Sequence, residues 1–314
     1  MARKNDTSLT EFILMGLAES MEEQFIFFLL FFLIYTLTVL GNVGMILLIR
    51  IDSRLHIPMY FFLANLSFLD ICYSSTITPK MLIDLLSEKK TISFASCFLQ
   101  MYFFIALATT ECNLFGLMAY DHYVAICNPL HYPLVMCRTV CVKMASGAFA
   151  VGLLNSMVHT SYVSSLPFCG SNVIHHFFCD SPPIFKLSCS DTSMNESILS
   201  TFAGVNMVRA LLITLTSYTY ILVSIFHMHS GEGRHKAFST CASHLTAIIL
   251  LYATSIYAYL RPSSSYSLNQ DKVVSVFYTV VIPMLNPLID SLRNKEIKKA
   301  LWNAISRKRI PSFL

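Results

Sequence analysis

Met118-Ala119-Tyr120-Asp121-His122-Tyr123-Val124-Ala125-Ile126-Cys127 is the point where a long apolar run meets its first charged, water-facing residues. The run behind it, Cys97 to Tyr120, is long enough to cross a bilayer, so Asp121 and His122 mark a membrane border. An Asp beside a His at a helix end is by itself only a solvated boundary. What the pair means is decided by the chain on either side.

That chain has 314 residues, 55% of them hydrophobic and 13% charged, with a mean hydropathy of +0.59, which is more apolar than a soluble domain tolerates. A membrane span needs roughly 20 apolar residues. Seven segments qualify: Phe25 to Ile49, Ile57 to Pro79, Cys97 to Tyr120, Met144 to Leu166, Ser197 to Phe226, Ala237 to Leu260 and Val273 to Leu292. Barrel strands of ~10 alternating residues would be much shorter than these runs. The expected fold is therefore an all-α membrane protein, a seven-transmembrane helix bundle over 25–292, with an extracellular N-terminus (1–24) and a cytoplasmic tail (293–314).

Lys and Arg placement orients the bundle. The ends that include Arg50, Arg54, Arg138, Lys143, Arg234, Lys236 and the tail hold 13 basic residues, against 8 on the opposite side. The tail is accordingly expected inside and the N-terminus outside, at the plasma membrane. The net charge of +4 describes that inner face and not a nucleic-acid surface. The first 24 residues lack the apolar run and small-residue site of a cleaved signal, so the first span is expected to serve as an uncleaved anchor. Asn5-Asp6-Thr7 and Asn195-Glu196-Ser197 are glycosylation sequons on the outer side, whereas Asn65-Leu66-Ser67 lies inside a span and should be silent.

Polar residues inside the spans need partners. Asn42 should face the bundle and bond another helix. Asp70 and Glu111 lie at similar depth, where two carboxylates either share a cation or are protonated and hydrogen-bonded. Arg209, near the middle of its span, is expected either to face the bundle and pair with Glu111 or a bound anion, or to snorkel along a tilted helix. Lining a pocket, it would favour acidic ligands. Four cysteines, Cys97, Cys169, Cys179 and Cys189, fall on the oxidising side and allow three pairings. His176 and Cys179 also have metal-ligand spacing, a use that a disulfide at Cys179 would pre-empt. In the tail, Ile297, Ala300, Leu301, Ala304 and Ile305 recur at helical spacing beside Lys298, Lys299 and Arg307, which reads as an amphipathic helix on an anionic inner leaflet.

The decamer resembles the third-helix signature of odorant receptors, a branch of the rhodopsin-like class A G-protein-coupled receptors. So do Leu55-His56-Ile57-Pro58-Met59-Tyr60-Phe61-Phe62-Leu63 with Leu66 to Asp70, Asn128-Pro129-Leu130-His131-Tyr132, Ser217-Tyr218, Lys236-Ala237-Phe238-Ser239-Thr240-Cys241-Ala242-Ser243-His244-Leu245, and the run Pro283 to Lys295. The resemblance covers nearly the whole chain. It implies a small volatile odorant bound among Phe104, Ile105, Ala108, Thr109, Phe202, Asn206, Tyr252, Ser255, Tyr259 and Thr279, and a heterotrimeric stimulatory G protein that raises cAMP. It also implies disulfides Cys97–Cys179 and Cys169–Cys189, a sodium ion at Asp70 and Glu111, and a coupling switch of Asp121, His122, Tyr123, Tyr218 and Asp290. No other metal or cofactor is implied.

Two positions depart from that pattern. The family has Arg where this chain has His122, and Tyr where it has Asp290. Imidazole is shorter than guanidinium, only partly charged and lacks the fork. The departures either weaken coupling or let His122 and Asp290 pair around Tyr218 in the open state, weakened coupling being the expectation. From another class, a transporter or channel would use Asp70, Glu111 and Arg209 as an ion path, but no internal repeat supports it. No nucleophile elbow, zinc-protease motif or phosphate loop marks an enzyme.

Overall fold

Helix α1 (Met21–Ile51) starts ahead of the apolar run at Phe25 because Ser20 and Glu23 cap one another. Glu23 N donates to Ser20 Oγ at 3.2 Å, and Ser20 N donates to Glu23 Oε2 at 3.4 Å. This computed structural model describes residues 10–18, 20–169, 171–227, 231–259 and 268–307. Five further rods follow: α2 (Pro58–Leu86), α3 (Phe94–Cys127), α4 (Arg138–Ser164), α5 (Ser193–His227) and α6 (Gly231–Tyr259). The seventh is α7 (Leu268–Val276), a π-helical turn (Phe277–Val281) and α8 (Ile282–Arg293) in continuous succession. The π turn sits just ahead of Pro283, whose missing N–H interrupts the regular ladder.

Among the described residues, five helices are apolar enough over their length to cross a bilayer by composition alone. The second and sixth rods are as long but more polar, the sixth contributing only the shorter apolar stretch His244–Ala258. Their polar side chains turn inward: Ser67, Asp70, Ser74, Thr78 and His244 are all buried. The outward faces are hydrocarbon-like, as at Leu29, Leu33 and Leu40 of α1. The connection between the fifth and sixth rods is short, α5 reaching His227 and α6 starting at Gly231.

The third rod is the axis of the bundle, packed against α2, α4, α5 and α6. Its approach to α4 requires Gly152, where a Cβ would lie 2.5 Å from the Ala106 carbonyl oxygen and closer still to Thr110 Oγ1. Asn42, fully buried, donates to the Pro283 carbonyl at 3.1 Å and so ties α1 to the seventh rod, as its position predicts.

The outer end is closed by structure that helical periodicity does not show. Strand β1 (Glu11–Leu14) lies between β2 (Thr91–Ser93), antiparallel with Phe12 opposite Ile92, and β3 (Val173–Ile174), parallel with Leu14 opposite Ile174. Phe12 and Leu14 are buried in a small core with Phe98, Met101 and Phe185. Disulfides Cys97–Cys179 and Cys169–Cys189 both form and pin the outer loop over the mouth. At the inner end, Asn294 Oδ1 accepts from Glu296 N at 3.0 Å and starts α9 (Lys295–Arg307). This helix buries Ile297 and Ala300 against the bundle and leaves Leu301 and Trp302 exposed.

Candidate signalling and ligand sites

Four groups of side chains are brought together at different depths. At the inner end, the Tyr218 hydroxyl lies 2.6 Å from His244 Nδ1 and 3.5 Å from His122 Nδ1. The two imidazoles meet edge to face with centroids 5.1 Å apart, and all three side chains are buried. Asp121 is held away from this cluster: Tyr132 donates to its Oδ1 at 2.9 Å, and its Oδ2 has no protein partner among the described residues. Tyr123 packs against Tyr120 and Tyr220. The expected partner Asp290 is on α8, but its side chain lies outside the described residues. Two members of the inner site, His244 and Tyr132, were not expected there, although each is the polar residue near the end of a quoted motif.

Asn286 of α8 donates to both carboxylate oxygens of Asp70 at 3.2 Å and also reaches Glu111. All three are buried, and Glu111 Oε1 has no protein partner among the described residues. Two carboxylates joined through one amide, with one oxygen left over, form a donor set that suits a small hard cation. Asn286 belongs to the site and was not predicted, because depth matching of charges does not register a neutral amide.

Toward the outer half, Phe104, Tyr252 and Thr279 are buried, while Ile105, Ala108, Thr109, Asn206 and Ser255 are half-buried. Thr279 Oγ1 is satisfied by the Ser275 carbonyl at 2.6 Å. The Tyr252 hydroxyl is buried with no hydrogen-bond partner among the described residues. Thr109 and Asn206 are joined through Asn155 of α4, whose Nδ2 donates to Thr109 Oγ1 at 3.1 Å and whose Oδ1 accepts from Asn206 at 3.2 Å. Phe202 is 52% exposed on the outer face of α5 and does not join them. The side chains of Tyr259 and Asn195, like the whole of Asn5, lie outside the described residues.

Directly above, a cavity opens under the outer loop, lined by Val173, His176, Pro182, Tyr257, Ser275 and Tyr278 among others. His176 Nε2 lies 3.1 Å from Ser275 Oγ, which lies 2.9 Å from the Tyr278 hydroxyl. His176 is stacked on Phe177 and set edge-on to Phe178. Burial first, then the Lys272 charge, pushes its pKa down to about 3. With Cys179 in a disulfide, the metal-ligand reading of His176 and Cys179 fails.

The expected Glu111–Arg209 pair does not form. Arg209 Nη2 donates instead to Asn113 Oδ1 at 2.6 Å and to Asn206 Oδ1 at 3.5 Å, and its side chain is exposed on α5. The reason is angular: Asn113, and not Glu111, lies on the face of α3 that meets α5.

A family model described as olfactory receptor matches residues 31–308. The chain is similar to Olfactory receptor 5F1 of Homo sapiens, 78% identical over 314 residues and covering 100% of both chains. It is also similar to Olfactory receptor 5AP2 of Mus musculus, 55% identical over 95% of this chain and 94% of the other. Olfactory receptor 8H3 of Homo sapiens is 50% identical over 98% of this chain and 99% of its own.

Proposed function

The chain belongs to the olfactory receptor family, a multi-pass membrane receptor and not an enzyme, and on that premise we propose how it senses and signals. It binds small volatile molecules within the outer half of the bundle and activates a stimulatory G protein that raises cAMP. The N-terminus faces outside the plasma membrane and the tail faces the cytoplasm. The transporter reading loses its basis, since Arg209 stands apart from Asp70 and Glu111.

The observation that carries the ligand reading is the Tyr252 hydroxyl, buried among apolar walls and satisfied by no protein group among the described residues. Apolar walls with one or two oriented polar groups suit a small odorant held by burial and a hydrogen bond. Modest affinity follows from so few atoms. A cAMP reporter with a panel of oxygen-bearing odorants tests this, with surface expression measured in parallel. Tyr252→Phe should weaken the response by about fivefold, the worth of one hydrogen bond of about 1 kcal/mol. Unchanged potency for every active odorant would remove Tyr252 from the site.

Ligand shifts the bundle only by its differential affinity for closed and open states. His122 and Asp290 weaken that coupling, because neither supplies the contact surface of the residues the family has there. His122→Arg and Asp290→Tyr are each expected to strengthen the cAMP response, and the double variant more so. Weaker signalling from both single variants would favour the pairing of His122 with Asp290 instead. Asp70, Glu111 and Asn286 would hold a sodium ion, whose charge would offset the two carboxylates in the closed bundle.

A further inference from the structure

Arg209 is a cation turned toward hydrocarbon. Around it on the same face of α5, Val205 is 62% exposed, Val208 53% and Leu212 57%, which is a lipid-facing surface. Within the span Ser197 to Phe226 it stands 12 residues from one end and 17 from the other, about 18 and about 26 Å along the axis at 1.5 Å per residue, which is near the middle of a bilayer core of about 30 Å. A guanidinium there is costly without a counter-charge. Among the described residues Arg209 forms no ion pair. Its hydrogen bonds to Asn113 and Asn206 both leave from one terminal nitrogen, so Nε and the other terminal nitrogen, with three N–H groups, have no protein partner among the described residues.

Beside these donors is a shallow groove walled by Gly204, Val205, Val208, Leu212 and Ile213. At Gly204 the space is open, since a Cβ added there meets nothing within 4 Å. The two amides that fix the guanidinium are themselves placed by other helices. Asn113 belongs to α3, and Asn206 is tied through Asn155 to α4. A charged fork held in place beside an apolar trough has the form of a receptor for an amphiphile with a compact anionic head.

We propose that this face of α5 binds the carboxylate of an aliphatic monocarboxylic acid dissolved in the bilayer, with its chain along the Gly204–Ile213 groove. A phosphodiester is ionised at every accessible pH and stays at the interface, whereas a monocarboxylic acid enters hydrocarbon as neutral RCOOH and releases its proton to the interfacial water as its carboxylate pairs with Arg209. A carboxylate matches the guanidinium geometry and is a single charge, so the pair is neutral in hydrocarbon. The site lies on the lipid side of α5 and shares with the implied interior pocket only Asn206, which bonds Arg209 on one side and Asn155 on the other. Because it anchors to Asn113 and Asn206, occupancy stiffens the junction of α3, α4 and α5.

The test uses the full chain in phosphatidylcholine nanodiscs with a diazirine-bearing decanoic acid, its alcohol counterpart as control, and mass-spectrometric mapping of the labelled peptide. Acid labelling should concentrate between Gly204 and Ile213, fall about tenfold in Arg209→Leu, and survive in Arg209→Lys, a change of the size expected for one charged contact. Gly204→Leu fills the trough and should reduce labelling while leaving the guanidinium in place, so the site remains testable even where Arg209→Leu folds poorly. Equal labelling by the alcohol, labelling indifferent to both Arg209→Leu and Gly204→Leu, or displacement by phosphatidylglycerol but not by unlabelled decanoate would overturn the proposal. The readout involves no G protein, so its failure leaves odorant signalling untouched.

Discussion

The Tyr218 hydroxyl joins His244 of α6 to α5 at 2.6 Å and lies within 3.5 Å of His122 on α3, linking the inner ends of three helices through one oxygen. On the proposal that the inner face opens for a G protein by separating α6 from α3 and α5, this hydroxyl is a contact that opening breaks. Tyr218→Phe keeps the ring and deletes the contact. Basal cAMP per receptor at the surface should rise about fivefold, given about 1 kcal/mol for a hydrogen bond. Basal signalling at or below the native level would show that the oxygen does not hold the closed state.

Gly152 permits the close approach of α4 to α3, since a methyl would run into Thr110 and the Ala106 carbonyl. Gly152→Ala should destabilise the bundle by about 1–3 kcal/mol, the usual range for overpacking. Thermal unfolding of purified receptor, followed by thiol reactivity of the buried Cys141 and Cys241, measures it. A melting temperature equal to that of the native chain would mean the helices separate more easily than their packing implies.

Sodium should stabilise the receptor through Asp70 and Glu111. At a concentration about five times its Kd, the gain is about 1 kcal/mol relative to a bulky organic cation at the same ionic strength. Asp70→Asn and Glu111→Gln should each abolish the difference. A sodium effect that persists in both variants places the ion elsewhere.

The outer loop should loosen in acid. His176 is held neutral in the closed arrangement, with its pKa lowered to about 3 by burial first and by Lys272 second, whereas a released loop regains the ordinary value of about 6.5. Above about 6.5 both forms are neutral and the closure is at full strength. As pH falls from there toward 3, only the released loop takes up the proton, so closure weakens progressively. Amide protection across 173–180, corrected for the intrinsic exchange rate at each pH, should decline over that window in the native chain and stay flat in His176→Gln. Protection that rises on acidification would contradict the assignment.

The seven rods, and the gathering of Cys97, Cys169, Cys179 and Cys189 at one end of them, were legible from the chain because the bilayer imposes a length and a polarity on every segment that crosses it. Runs such as Phe25 to Ile49 state their environment without reference to any neighbour. The same constraint located Asp70, Glu111 and Arg209 by depth, and the inward role of Asn42 by elimination. Periodicity is silent on rotation about the helix axis. Glu111 and Asn113 are close in sequence, yet one meets Asn286 and the other Arg209. That angle depends on how α3 packs against its neighbours, so the tertiary fold alone decided which carboxylate Arg209 would miss and which imidazole Tyr218 would meet. It also decided that Glu11–Leu14 becomes a strand, because a strand this short exists only where Thr91–Ser93 and Val173–Ile174 stand ready to receive its hydrogen bonds.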